Sequence, residues 1–282
     1  MSENRNLGSI LCPNCGKLIS ASAESCIHCG AKKPGMWGLS TYLQRLFGPR
    51  ASLIPFITAT CVGIYVLSLL LDLGALTQMR GSFIFGFLSP SNNVLIKLGA
   101  TGSYAIERGY WWTTITAVYL HGGLLHIAFN TIAIRNLGPY IEEFYGVSRS
   151  FVIFSVAGIA GYVVSNAFGV PFTVGASGSL YGFLGALVYY GKKRGGVFGD
   201  AIYKQAGQWA IVWFIIGFLM PGINNLAHGG GFVGGYVASW LLGFSEIKRE
   251  NRTHQIVALA FLVLTVLAFV LSIINPPYLK LR

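Results

Sequence analysis

Seven apolar stretches of 15 to 23 residues, set apart by glycine, proline or charged residues, constrain this chain more than any single residue does. They run from Leu53 to Leu73, Trp112 to Ile134, Phe151 to Phe168, Ser177 to Gly191, Ala206 to Met220, Ala227 to Phe244 and Ile256 to Ile274. A bilayer core offers no water to backbone N–H and C=O groups, so a chain that crosses it repeatedly must satisfy them within each segment, as helices. A soluble helical core would need more charge around it. Only 10% of the 282 residues are charged and 54% are hydrophobic, whereas soluble domains carry about 25% charged residues. The expected fold class is an all-α polytopic membrane protein.

Charge then sets the orientation. With the N-terminus in the cytoplasm, fifteen of the twenty Lys and Arg residues lie on that side, among them Lys192, Lys193, Arg194, Lys248 and Arg249. Arg80, Lys97, Arg108, Lys280 and Arg282 fall outside. The net charge of +11 follows from this topology. The basic residues are spread over short loops beside the spans and not gathered on one face, so no nucleic-acid partner is expected. Residues 1 to 50 are polar and broken by Gly, Pro and Cys, unlike a cleavable signal peptide, which leaves the first span as its own signal anchor. The expected location is a multi-pass position in the cell (inner) membrane.

A small module over residues 1–34 precedes the spans. Cys12 and Cys15 form one C-x-x-C knuckle, Cys26 and Cys29 a second, and each is followed by a glycine, Gly16 or Gly30. Four thiolates on two tight turns can surround a tetrahedral Zn²⁺, and a segment this short has too little core to fold without it. Iron in the same tetrahedral site is the minor alternative. A cytoplasmic setting argues against disulfides. His28 is read as a surface residue and Cys61, inside the first span, as an inert core residue. Residues 35–52 form an amphipathic linker in which Met36, Trp37, Leu39, Tyr42, Leu43, Leu46 and Phe47 fit an interfacial helix.

Polar side chains inside the spans carry the chemistry. Ser177 sits in Gly175-Ala176-Ser177-Gly178, and His228 opens His228-Gly229-Gly230-Gly231. A hydroxyl and an imidazole in a membrane persist mainly where they line a cavity or react, and together they suggest a nucleophile and its base. The fourth stretch is only about 15 residues, roughly 22 Å of helix against roughly 30 Å of hydrocarbon, so the chain must enter as a non-helical stretch, Gly169 to Ala176, with Ser177 at the bottom of a cavity. Gly178, Gly182 and Gly185 make a small-residue stripe on that helix, and Gly231 and Gly235 share a stripe with His228, which lets the two backbones approach. Tyr181, four residues after Ser177, can stack on the imidazole. In the second stretch, His126 and Asn130 share a helical face as candidate oxyanion donors, with His121 nearer the outer end. His121 is read foremost as a residue bonding neighbouring helices.

These residues resemble the rhomboid intramembrane serine proteases, over about Leu53 to Phe244. The resemblance rests on Trp111-Trp112, on His121, His126 and Asn130 in H-x4-H-x3-N spacing, on Gly175-Ala176-Ser177-Gly178 with Tyr181, and on His228, Gly231 and Gly235 in H-x2-G-x3-G. It implies a six-helix catalytic bundle over residues 53–246. Ser177 would be the nucleophile and His228 the base, and His126, Asn130 and the Ser177 N–H the oxyanion hole, with Gly175, Tyr181 and His121 supporting. Catalysis would need no cofactor, and zinc would serve structure alone. Residues 247–282, with the last apolar stretch, resemble the extra C-terminal helix of members with a six-plus-one arrangement. One departure is Thr113, where the family usually places Arg after the tryptophan. The expected substrates are transmembrane proteins cleaved near the outer end of a helix, with a cytoplasmic partner as the candidate ligand of the zinc module. A non-proteolytic rhomboid-like factor that binds transmembrane clients is the alternative, and a midplane transporter is disfavoured because paired inverted repeats and intramembrane carboxylates are not found.

Overall fold

The computed structural model describes residues 9–12, 17–20, 23–30, 52–76, 86–248 and 250–277. The chain divides into two compact units, Met1–Leu53 and Ile54–Arg282. In the first, strands β1 (Ser9–Leu11) and β2 (Leu18–Ser20) pair antiparallel with Ser9 opposite Ser20. The Cys12 N–H donates to the Lys17 carbonyl at 2.8 Å, and the Gly30 N–H closes the second turn on the Cys26 carbonyl at 2.8 Å. Cys15 and the amphipathic stretch Met36 to Phe47 lie outside the described residues.

The second unit is helical. Its long helices among the described residues are α1 (Leu53–Leu70), α5 (Leu124–Tyr145), α6 (Val147–Ala167), α7 (Ser177–Arg194), α8 (Gly196–Leu219), α9 (Asn225–Leu242) and α10 (Arg252–Ile274). Among the described residues, three short α-helices, α2 (Asn92–Lys97), α3 (Ser103–Glu107) and α4 (Thr113–Thr116), lie in the connection from α1 to α5. Helices α1, α6 and α10 are each long and apolar enough to cross a membrane alone. The chain is an integral membrane protein.

Among the boundaries that differ from the sequence expectation, three do so for a clear physical reason. The stretch from Trp112 is not one continuous helix, because α4 and the 3₁₀ turn Ala117–Tyr119 meet α5 at 88°. Trp112, Ile115, Val118 and Leu120 are apolar because this connection is buried in protein. Hydropathy alone cannot separate that from lipid contact. Helix α6 begins at Val147 and not at Phe151, since the polar Ser148-Arg149-Ser150 forms its first turn. Arg149 is fully buried there, donating to the Tyr145, Gly243 and Lys248 carbonyls and to Ser245, while the Glu250 carboxylate accepts the Ser148 and Arg149 N–H groups at 2.7 and 3.0 Å. A carboxylate at a helix N-terminus complements its dipole. Helix α8 starts at Gly196, ten residues before the apolar stretch, because only the glycine turn at Gly195 separates it from α7.

Helix α7 lies at the centre, with every residue from Gly178 to Leu187 buried, and packs against α6, α8 and α9. The expected glycine seam is present. A Cβ built at Gly231 would fall 2.7 Å from the Gly178 carbonyl carbon and closer still to its oxygen, and one at Gly235 would fall 2.5 Å from the Gly182 carbonyl carbon. The two backbones are therefore in direct van der Waals contact. Helix α8, in contrast, buries only Gly199, Ala206 and Gly217. Helix α10 packs on α4 and α6, where Ala268 joins Trp112 and Ile115, and the Phe269 ring lies 6.0 Å from Tyr119.

Candidate active site

Ser177 and His228 meet at the outset of α7 and α9. His228 Nε2 lies 2.9 Å from Ser177 Oγ, across 51 residues of sequence. The segment before Ser177 is non-helical from residue 168 to 176, as the short fourth stretch requires, and it is held by an antiparallel bridge between Thr101 and Thr173. No side chain caps α7 at Ala176, so no capping oxygen occupies the first-turn N–H groups around the serine. Helix α9 starts differently. Asn224 caps it by accepting from the Ala227 N–H at 3.0 Å, and the same amide donates to Ser165 at 2.6 Å and Thr173 at 3.1 Å. One asparagine thus ties the base helix to α6 and to the serine loop, a turn before His228.

The imidazole is held on its face. Tyr181 stacks on His228 with ring centroids 4.2 Å apart and planes at 14°, and the edge of Trp213 from α8 approaches Tyr181 at 6.4 Å. His228 Nδ1 is buried without a hydrogen-bond partner, and no charged residue lines the cavity at the site among the described residues. With Nε2 accepting from the serine hydroxyl, the ring proton belongs on Nδ1.

His126 and Asn130 come to the other side of the serine loop. His126 Nδ1 accepts the Gly122 N–H at 3.3 Å, which places its proton on Nε2. That nitrogen would be 2.5 Å from a Cβ at Gly175, and the Asn130 amide nitrogen 3.8 Å from the same point. Asn130 donates one N–H to the His126 carbonyl at 3.0 Å and keeps a second. His121 is fully buried, 5.1 Å from His126 between ring centroids, with Nδ1 3.3 Å from the Tyr119 carbonyl. Gly175 has φ +125°, a region that favours glycine. Thr113 is buried and bonds to Tyr110 and Thr101, so it has no contact with lipid.

A cavity of about 1480 Å³ opens beside these groups. It runs between α5 and α8, from Ser177, His228, His126 and Asn130 along Phe129 and Ile132 to Trp209 and Trp213. The structure brings together Ser177, His228, His126 and Asn130, which sequence reasoning singled out, and adds Asn224, which it missed. Asn224 carried a usable signal, since an asparagine three residues before the first buried position of an apolar helix is an N-cap pattern.

In the N-terminal unit, the sulfurs of Cys12, Cys26 and Cys29 lie within 4.8 Å of one another, with Cys12 and Cys29 3.7 Å apart. That is too long for a disulfide and close to the roughly 3.8 Å edge of a tetrahedral thiolate site with 2.3 Å metal–sulfur bonds. The three cysteines fit a metal ion, with Cys15 as the candidate fourth ligand.

Residues 108–245 match the rhomboid domain model. The chain is similar to the rhomboid protease GluP of Bacillus subtilis, 35% identical over 180 residues that make up 61% of this chain and 35% of the relative. RHOMBOID-like protein 5 of Arabidopsis thaliana is 32% identical over 163 residues, 55% of this chain and 52% of the relative. RHOMBOID-like protein 1 of the same plant is 28% identical over 218 residues, 71% and 54%. The chain thus spans between about a third and about half the length of these relatives. The matched region contains the serine loop, the stacked imidazole and the His126–Asn130 pair on α5, and it is over these residues that the chain resembles the rhomboid family.

Proposed function

We propose that the membrane unit is an intramembrane serine endopeptidase working through a Ser177–His228 dyad, with residues 53–246 as its catalytic part. The observation that carries this is the 2.9 Å contact between Ser177 Oγ and His228 Nε2, beside a cavity that also receives His126 and Asn130. In the acylation step, His228 Nε2 takes the hydroxyl proton as Ser177 Oγ attacks the scissile carbonyl carbon. The developing oxyanion is received by His126 Nε2–H, the free N–H of Asn130 and the Ser177 backbone N–H. The imidazolium then gives its proton to the leaving amine as the C–N bond breaks, and a water activated by the same nitrogen hydrolyses the ester on Ser177. With no carboxylate at Nδ1 among the described residues, Tyr181 and burial hold the ring in place.

Substrates on this reading are transmembrane segments. Peptide carbonyls in an intact helix are shielded, so the segment must unwind, and helix-weakening Gly or Pro with a small residue at the cut suits the glycine-lined site. The sparsely buried α8, ending before Pro221-Gly222, is the mobile wall through which a segment enters beside α5. Placing the basic loops inside puts the N-terminus in the cytoplasm and the cut near the outer end of the substrate helix. There the cysteine cluster would hold one structural Zn²⁺, which supplies a tetrahedral crosslink in place of a core, and the module would face a cytoplasmic partner.

The test is cleavage of a model transmembrane substrate in liposomes, together with labelling by a serine-directed fluorophosphonate. Ser177→Ala and His228→Ala should each abolish both while the protein stays folded and inserted. Near-wild-type cleavage by either variant would sink the Ser177–His228 mechanism, whereas neither cleavage nor labelling in the wild type would leave the non-proteolytic client-binding alternative standing.

A further inference from the structure

Gly175, two residues before the nucleophile, has both of its backbone polar groups held by residues outside its own loop. Its N–H donates to the Ala117 carbonyl at 2.9 Å. Its carbonyl accepts from the Tyr162 hydroxyl at 2.6 Å, and that hydroxyl also stands 3.4 Å from the Ala117 carbonyl. Tyr162 lies on α6, 3% exposed, on neither helix of the dyad. One hydroxyl therefore stands against both the serine loop and the turn at Ala117 that holds it.

The position it clasps is the joint that matters. Glycine rotates about φ and ψ more freely than any other residue, and Gly175 sits at φ +125° immediately before the helix that presents Ser177. Its Cα also rests against His126, since a Cβ there would fall 2.5 Å from His126 Nε2. Rotation at Gly175 would change two things together, the direction of the Ser177 N–H and the space beside the His126 donor. Oxyanion stabilisation depends on donors held in advance at hydrogen-bonding distance.

We propose that Tyr162 is a positioning residue for acyl transfer, whose hydroxyl locks the Gly175 carbonyl and so fixes the serine loop against the oxyanion donors. This rests on the protease reading above. A buried tyrosine needs a hydrogen-bond partner in any case, so a purely structural role is the competing account. Tyr145 provides the matched control. It is fully buried on α5, and its hydroxyl donates to the Ala186 carbonyl at 2.8 Å, well away from the dyad.

The experiment compares wild type, Tyr162→Phe and Tyr145→Phe in the full chain, reading kcat and KM on a transmembrane substrate, the fluorophosphonate labelling rate, and Tm. Tyr162→Phe keeps the ring and should lower kcat and labelling together, on the order of ten-fold to a hundred-fold, with KM near wild type. Tyr145→Phe should lower Tm by a comparable amount and leave kcat near wild type. Wild-type kcat in Tyr162→Phe, or an equal kcat loss in Tyr145→Phe, would overturn the proposal. Absence of labelling in the wild type is a separate result, which would sink the protease reading and the positioning role with it.

Discussion

The glycine seam between α7 and α9 makes the dyad distance a property of backbone packing, and Gly231→Ala tests that directly. The added Cβ would stand 2.7 Å from the Gly178 carbonyl carbon and closer to its oxygen, both backbone atoms that cannot rotate away. Restoring an ordinary contact of 3.4 Å to that carbon alone parts the helices by about 0.7 Å. Ser177 and His228 flank this contact, so their separation grows from 2.9 Å to at least about 3.6 Å, outside hydrogen-bonding range. Overpacking of this kind costs about 1–3 kcal/mol of stability, which a folded bundle tolerates. Loss of general-base assistance costs about 10²–10⁴-fold in rate. The expected outcome is a folded, inserted protein with cleavage and fluorophosphonate labelling down by at least about 10²-fold. Gly229→Ala is the control, because a Cβ there meets nothing within 4 Å although it adjoins the base. Wild-type rates in Gly231→Ala, or an equal loss in Gly229→Ala, would refute the dependence on the seam.

Purified protein should contain about one zinc per chain, lost when Cys12, Cys15, Cys26 and Cys29 are changed to Ser while the membrane unit keeps its helical circular dichroism. Metal-free wild type that retains the β1–β2 hairpin by NMR would contradict it. Cross-linking α5 to α8 through Phe129→Cys and Trp213→Cys, both lining the cavity, should block cleavage of transmembrane substrates while a small fluorophosphonate still labels Ser177. Undiminished cleavage in the linked protein would rule out entry between these helices.

The parts of the fold legible in the sequence are those in which one residue type has one physical reason to be present. Glycines at helical spacing beside a serine and a histidine have little reason to occur together except close approach, and the structure brings Gly178 against Gly231 as expected. The histidine and asparagine of α5 were legible because polar groups in an apolar segment need a purpose. What was not legible depends on tertiary context. The connection from Trp112 to Leu120 is as apolar as a span because it is buried on all sides, and Arg149 reads as a loop residue until the carbonyls of Gly243 and Lys248 are seen around it. Tyr162 looks like any other aromatic residue on an apolar helix, and only the proximity of the Gly175 carbonyl gives it a particular role.

Helix α10 shows no chemistry of its own, yet it leans on the turn whose Ala117 carbonyl holds the serine loop. Helices leave the ribosome in chain order, so Ser177 and His228 are both in the membrane before α10 exists. During that interval Tyr119 lacks the ring of Phe269 behind it, and Trp112 and Ile115 lack Ala268. The order of synthesis thus adds this support of the serine loop after the loop itself, and a nascent chain carries Ser177 and His228 for a time without that brace.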